Sequence, residues 1–186
     1  MIEQTFLTNQ FLIAMPALAD PHFVRTVTYI CEHSAAGALG IVINRPLDLD
    51  SSELLSNLGI QFVPGSAAQP VFAGGPVHQE QGFVLHRPAG GWGSSLAITD
   101  EIGITTSRDI LEALGRGEAP ADMLIALGYA GWGPGQLERE LGDNAWLCGP
   151  ADPAVMFRLP AEQRWSAAAA LLGIDLTLLS AEAGHG

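Results

Sequence analysis

The stretch Met123-Leu-Ile-Ala-Leu-Gly-Tyr129 decides the fold. It is a continuous apolar run of strand length, the pattern of a central strand. The chain continues through Gly128-Tyr-Ala-Gly-Trp-Gly-Pro-Gly135 into a segment with Leu137 and Leu141 at helical spacing. Pro134 is placed for the first turn of that helix. Glycines between a strand and a helix are the setting of a phosphate-cradling loop. The motifs themselves are missing. There is no G-x-x-x-x-G-K-[ST], the chain has no Lys, and Gly131, Gly133 and Gly135 do not make G-x-G-x-x-G. With Tyr129 and Trp132 inside it, the stretch reads as a structural turn that packs aromatic rings.

Upstream, Phe11 to Met15 is a short apolar run ended by Pro16, which predicts a buried strand. Pro21 pushes Asp20 out of the helical region and predicts a turn. Residues 24–33 alternate: Val27, Tyr29 and Cys31 fall on one face, and Thr26, Thr28 and Glu32 on the other, with Ile30 an exception. That predicts a half-buried strand. With a turn at Ser34–Gly37 and the apolar run Leu39–Ile43, it predicts a hairpin. Asp50 with Glu53 predicts a helix cap, Leu54, Leu55 and Leu58 share the helix face, and Gly59 ends it. Residues 61–70 read as loop. Val71-Phe72 and Phe83–Leu85 read as strands on either side of Gly74-Gly75-Pro76.

Further on, Gly90–Gly93 is a turn and Leu96–Thr105 reads as extended. Thr106 or Ser107 is placed to cap a helix carrying Ile110, Leu111 and Leu114, with Gly115 at its end. Asn144–Cys148 is a strand candidate. Asp152-Pro153 opens a short helix, and Leu159-Pro-Ala-Glu162 opens an Ala-rich helix that Gly173 closes. The tail after Ser180 reads as loose. Strands and helices mix irregularly, which favours α+β over a doubly wound sheet. The length of 186 residues fits one domain spanning 1–186, with a core over about 11–180.

The charge balance disfavours several partners. Twenty acidic residues face eight arginines, a formal charge of −12. Nucleic-acid affinity comes largely from Lys and Arg, and here the arginines form no basic run, so nucleic acid is disfavoured as a partner. An anionic membrane surface is disfavoured on the same ground. The apolar stretches Phe11–Ala19 and Trp165–Ile174 fall short of the ~18 residues that suggest a membrane span. Met1–Thr5 lacks the positive region of a signal peptide. Two cysteines without a C-x-x-C read as reduced thiols. The expected location is therefore the cytoplasm.

Candidate chemistry is sparse. Cys31 and His33 are two apart and on a strand would face the same way, an arrangement that can activate a thiolate. Cys31 also continues the apolar face of Val27 and Tyr29, where buried Cys is an inert hydrophobe. Cys148, before Gly149-Pro150, reads as exposed and is the candidate redox thiol. His22, His33, His78, His86 and His185 form no zinc spacing, and no metal or cofactor is expected. Ser94-Ser95 lacks the G-x-S-x-G elbow. Arg45, between an apolar strand and Pro46, suits bidentate binding of a carboxylate or phosphate, or pairing with one of the many acids.

Together the segments resemble the AlgH/YqgE family of small bacterial proteins. The carrying residues are Phe11-Leu-Ile-Ala-Met-Pro16, Asp20-Pro-His-Phe23, Val27-Thr-Tyr29, Gly40-Ile-Val-Ile-Asn-Arg-Pro46 and Gly74-Gly-Pro76. Gly82-Phe-Val-Leu-His86, Leu127-Gly-Tyr-Ala-Gly-Trp132, Gln136-Leu-Glu138 and Asn144-Ala-Trp-Leu147, running into Pro150-Ala-Asp152, complete the match. The resemblance implies one α+β domain whose bifurcated, mostly antiparallel sheet curls into a pseudo-barrel with flanking helices. One branch of the family carries the label of a transcriptional regulator. A redox role has been considered for members with a Cys in the Thr-Cys-Pro form. Cys148 stands one place earlier here, and on a strand that shift moves the side chain to the other face.

The expectation is a regulatory or binding protein without recognisable catalytic machinery. Its site is expected around Arg45, Gly74, Gly75, His86, Tyr129, Trp132 and Asn144, at predicted strand ends. Its partner would be a small ligand or a protein. The alternatives are direct regulation on DNA and thiol-redox or enzymatic chemistry at Cys148 or Cys31.

Overall fold

Residues 6–64 and 67–183 are described in a computed structural model. The Met1–Thr5 segment and His185 lie outside the described residues. The first half of the chain forms β1 (Gln10–Ala14), β2 (Val27–Ser34), β3 (Gly37–Val42), β4 (Pro46–Asp50), α1 (Ser51–Asn57), β5 (Pro70–Ala73) and β6 (Val77–Arg87). The second half forms β7 (Ser95–Ala97), β8 (Gly103–Thr105), α2 (Asp109–Gly115), β9 (Asp122–Trp132), α3 (Gln136–Gly142), β10 (Trp146–Pro150), α4 (Pro153–Phe157), α5 (Ala161–Ala170) and α6 (Leu176–Ala183).

The apolar run at 123–129 is the centre of the sheet, as expected. Along β9, Met123 and Ile125 enter one core while Leu124 and Ala126 enter another, so both faces are buried. Antiparallel β6 follows one side of β9 from Asp122 to Tyr129. The other side is shared. Parallel β5 occupies Ile125–Leu127, and antiparallel β3 occupies Ala130–Trp132. The sheet therefore forks beside β9. One arm runs β3-β2-β1-β10, the other β6-β8-β7, and β4 pairs with β5.

The fork requires glycine. Gly74 donates its N–H to the Leu127 carbonyl at 2.7 Å and accepts from the Val42 N–H at 2.9 Å, so it bridges β9 and β3. A Cβ on Gly75 would overlap the Tyr129 main chain. Gly128 has φ 79° and lies against the Gly75 carbonyl. A β-carbon there would be strained and overlapped at once.

Three apolar cores stabilise the sheet, at about 1.5–3 kcal/mol for each large apolar side chain buried. The first fills the curl, with Phe11, Tyr29 and Ile41 from one arm and Phe83, Leu85 and Ile104 from the other. Helices α4 to α6 add Met156, Ala169 and Leu176. The second packs Leu137 of α3 on Leu12, Ile30, Trp132 and Trp146. The third packs Leu55 of α1 and Ile110 of α2 on Val71, Val84 and Ile125.

Local expectations hold at Asp50, whose carboxylate accepts from the Glu53 N–H, and at Asp152, which accepts from Ala154. Others are corrected. Strand β2 is buried on both faces through Cys31, Thr28 included, as is Thr26 just before it, because Ile30 and its neighbours meet the second core. Leu96–Thr105 is a hairpin, β7 to β8. Its turn closes where the Thr99 hydroxyl accepts from the N–H groups of Glu101 and Ile102. Ser107 does not cap α2; its hydroxyl donates to Asp109 and accepts from the Ser94 N–H. Gly128–Trp132 is strand rather than turn, and α3 begins at Gln136 after a left-handed Gly135. Helix α6 carries the chain past Ser180 to Ala183, where a loose tail was expected.

Candidate functional site at the mouth of the curled sheet

Helix α5 closes one end of the curl. The Trp165 indole donates to the Ala14 carbonyl at 2.9 Å, and the buried Arg164 guanidinium donates to the carbonyls of Ile43 and Leu159. Burial lowers the Arg164 pKa to about 10. Cys31, Glu32 and Leu39 lie at the opposite end of β2 and β3. There the curl opens on a cavity of about 420 Å³. Leu39, Phe83, Leu96 and Ile104 give its apolar surface, and Glu32, Ser94 and Thr106 its polar groups. A second cavity of about 220 Å³ crosses the β2–β3 hairpin, shares Glu32 and Leu39, and reaches Trp132. An apolar hollow with a few polar groups at a barrel mouth is a common small-molecule site.

A β-bulge shapes this end. The β2–β3 register shifts between Ile30 and Glu32, leaving Cys31 without a partner. Cys31 and Glu32 both border the mouth, while His33 turns to the other side. The Leu7 N–H donates to His33 Nδ1 at 2.9 Å, so the ring proton sits on Nε2 and is donated to Glu138 at 2.7 Å. Cys31 and His33 therefore do not face the same way, and Cys31 is the buried hydrophobe that its apolar face implied. His33 is thus no base for the Cys31 thiol. Burial, and then the Glu32 carboxylate, raise its pKa and keep it protonated. Cys148 on β10 is exposed, as expected.

The seven residues named from the sequence do not form one site. Arg45, Gly74, Gly75 and Tyr129 gather at the fork. Arg45 and Gly75 border a hollow of about 90 Å³ there. Among the described residues, the Arg45 guanidinium forms no salt bridge. It donates to the carbonyls of Pro21, His22 and Val24 at 3.0, 2.7 and 2.9 Å, holding that loop against the sheet. Burial lowers its pKa, against the effect of Asp20. Tyr129 packs edge-on to Phe83, 5.6 Å between ring centroids, and so backs the mouth. Trp132 touches the second cavity, but its ring is packed with Phe23 and Trp146 and its N–H donates to Glu140.

His86 lies six residues along β9 from Tyr129, about 20 Å at strand rise. It is fully buried. Its Nδ1 meets the Pro88 carbonyl at 2.8 Å and must donate, so Nε2 accepts from the Thr105 hydroxyl at 2.7 Å. Thr105 must then accept from Ser95 at 2.6 Å. The chain ties β6, β8 and β7 together. Asn144 is a helix terminator. It has φ 59°, its N–H donates to Leu141 O and that of Ala145 to Glu140 O, closing α3 with a left-handed cap.

Sequence reasoning missed the mouth residues Glu32, Leu39, Leu96 and Ile104. The one available signal was Glu32, a charge ending an otherwise apolar strand.

The model of the AlgH-like family matches residues 11–177. The chain belongs to this family. A UPF0301 protein of Thioalkalivibrio sulfidiphilus is 58% identical over 185 residues, with 100% of each chain covered. A UPF0301 protein of Methylococcus capsulatus is 57% identical, covering 99% of this chain and 98% of the other. The solution structure of the AlgH protein from Pseudomonas aeruginosa superposes with a TM-score of 0.80 at 49% identity, over 97% of this chain and 96% of that one. A crystal structure of a Corynebacterium diphtheriae protein, 22% identical with a TM-score of 0.73 over 97% and 94%, shares the fold. The AlgH structure bears out the curled α+β architecture that the family resemblance implied. No helix among the described residues is long and apolar enough to cross a membrane.

Proposed function

We propose that the protein is a cytoplasmic, non-catalytic binding protein that takes a small, mainly apolar ligand at the mouth of its curled sheet. The observation that supports this is the cavity of about 420 Å³, walled by Leu39, Phe83, Leu96 and Ile104. Its volume falls within the roughly 300–1,000 Å³ of ordinary small-molecule pockets. The groups available for covalent chemistry favour binding. The Cys31 thiol is held protonated, and His33 is engaged with Glu138 on the other side. In this reading the bound ligand alters the surface around β7 and the β2–β3 hairpin, and a protein partner senses the change.

The test uses the neutral fluorophore N-phenyl-1-naphthylamine. It should bind saturably, with enhanced emission. Leu96 is 52% exposed, so Leu96→Glu leaves the core intact. This change should weaken probe binding about tenfold, since placing a carboxylate against the probe removes an apolar contact worth roughly 1.5 kcal/mol. Absence of saturable binding, or equal binding by wild type and Leu96→Glu, would refute the mouth as the ligand site.

A further inference from the structure

We infer that the ligand of the mouth is an organic cation: an ammonium group on an apolar body, with its charge at Glu32. This rests on the reading of the mouth as the ligand site. Among the described residues, Glu32 is the one charged side chain lining either cavity, and it stands where the two meet. The bulge at Ile30–Glu32 puts it there beside Cys31, at the lip of an apolar hollow. Among the described residues its carboxylate takes part in no hydrogen bond to a side chain and no ion pair, whereas Glu138 and Asp122 are paired. The adjacent His33 ring is turned toward α3, where it bonds to Glu138.

An anion in this mouth would meet a carboxylate and no compensating cation. A neutral ligand would draw nothing from the exposed carboxylate. A cation gains the carboxylate directly. It also gains the field of a molecule with formal charge −12. The hydroxyls of Ser94 and Thr106 can accept further hydrogen bonds from ammonium protons.

The experiment displaces N-phenyl-1-naphthylamine with three ligands of one chain length: decylammonium, decanol and decanoate, each below its micelle concentration. In wild type, decylammonium should bind about twofold to fivefold more tightly than decanol, the margin expected for one exposed charge pair. Decanoate should be the weakest. Raising the salt to about 0.5 M should shrink the margin. Glu32→Gln should remove it, with the neutral probe still binding saturably. Equal affinity for decylammonium and decanol in wild type, or a margin that survives Glu32→Gln, overturns the assignment of a cation and leaves the apolar mouth standing. Failure of the probe to bind wild type overturns both.

Discussion

Cys31 is 3% exposed, and its thiol and the Tyr29 hydroxyl are both raised, chiefly by burial, while Cys148 lies open on β10. Iodoacetamide near neutral pH should therefore modify Cys148 in the native protein and Cys31 only after unfolding, as peptide mass spectrometry would show. Native labelling of Cys31 would contradict its burial. The raised groups hold their protons more tightly when folded, so their contribution is fully present below their ordinary values of 9.0 and 10.0 and declines as pH rises past them. Denaturant midpoints should fall above about pH 9, and less steeply in Cys31→Ala, measured against that variant's own neutral-pH value. Arg45 was a candidate anion binder from its place before Pro46. With three carbonyls on its guanidinium, Arg45→Ala should instead cost about 1–2 kcal/mol of stability and lower Tm. An unchanged Tm would return Arg45 to the list of ligand-binding residues.

Between elements, the fork beside β9 depends on main chains in contact. Gly75→Ala should destabilise by about 3 kcal/mol or more, because the methyl overlaps the Tyr129 backbone and neither strand can move without losing its pairing. A near-wild-type Tm for that variant would mean the crossing is looser than described. At the end of α3 the contrast is sharper. Asn144→Gly should hold or raise stability, and Asn144→Ala should lower it by about 1 kcal/mol, since φ 59° suits Gly and Asn but not Ala. Equal effects of the two would argue against the left-handed cap. Such positions look functional in a sequence because glycine, asparagine and arginine at strand ends serve both ligands and backbone geometry.

Across the whole molecule, the charge pattern argues against a nucleic-acid surface. Arg87 and Arg158 meet Asp122, Arg108 meets Glu112 and Arg116 meets Glu118. Arg45 and Arg164 are taken up by carbonyls. Few of the eight arginines are left to neutralise phosphates. A DNA duplex should show no mobility shift even at low salt, and a salt-sensitive shift would restore direct regulation on DNA.

Hydrophobic period and turn chemistry made much of the architecture legible in the chain alone. The central strand at 123–129, the β2–β3 hairpin and the caps at Asp50 and Asp152 each follow from local forces acting within a few residues. The fork, the bulge at Cys31 and the mouth are set by which strands meet. A one-residue bulge sends Glu32 into a cavity and His33 onto Glu138, and nothing in the alternation of 24–33 announces it. Likewise Leu39, Leu96 and Ile104 are ordinary apolar strand residues until the curl brings β3, β7 and β8 around one hollow. Those contacts join residues tens of positions apart, and only chain closure decides which apolar faces are buried against each other and which are left to meet a ligand.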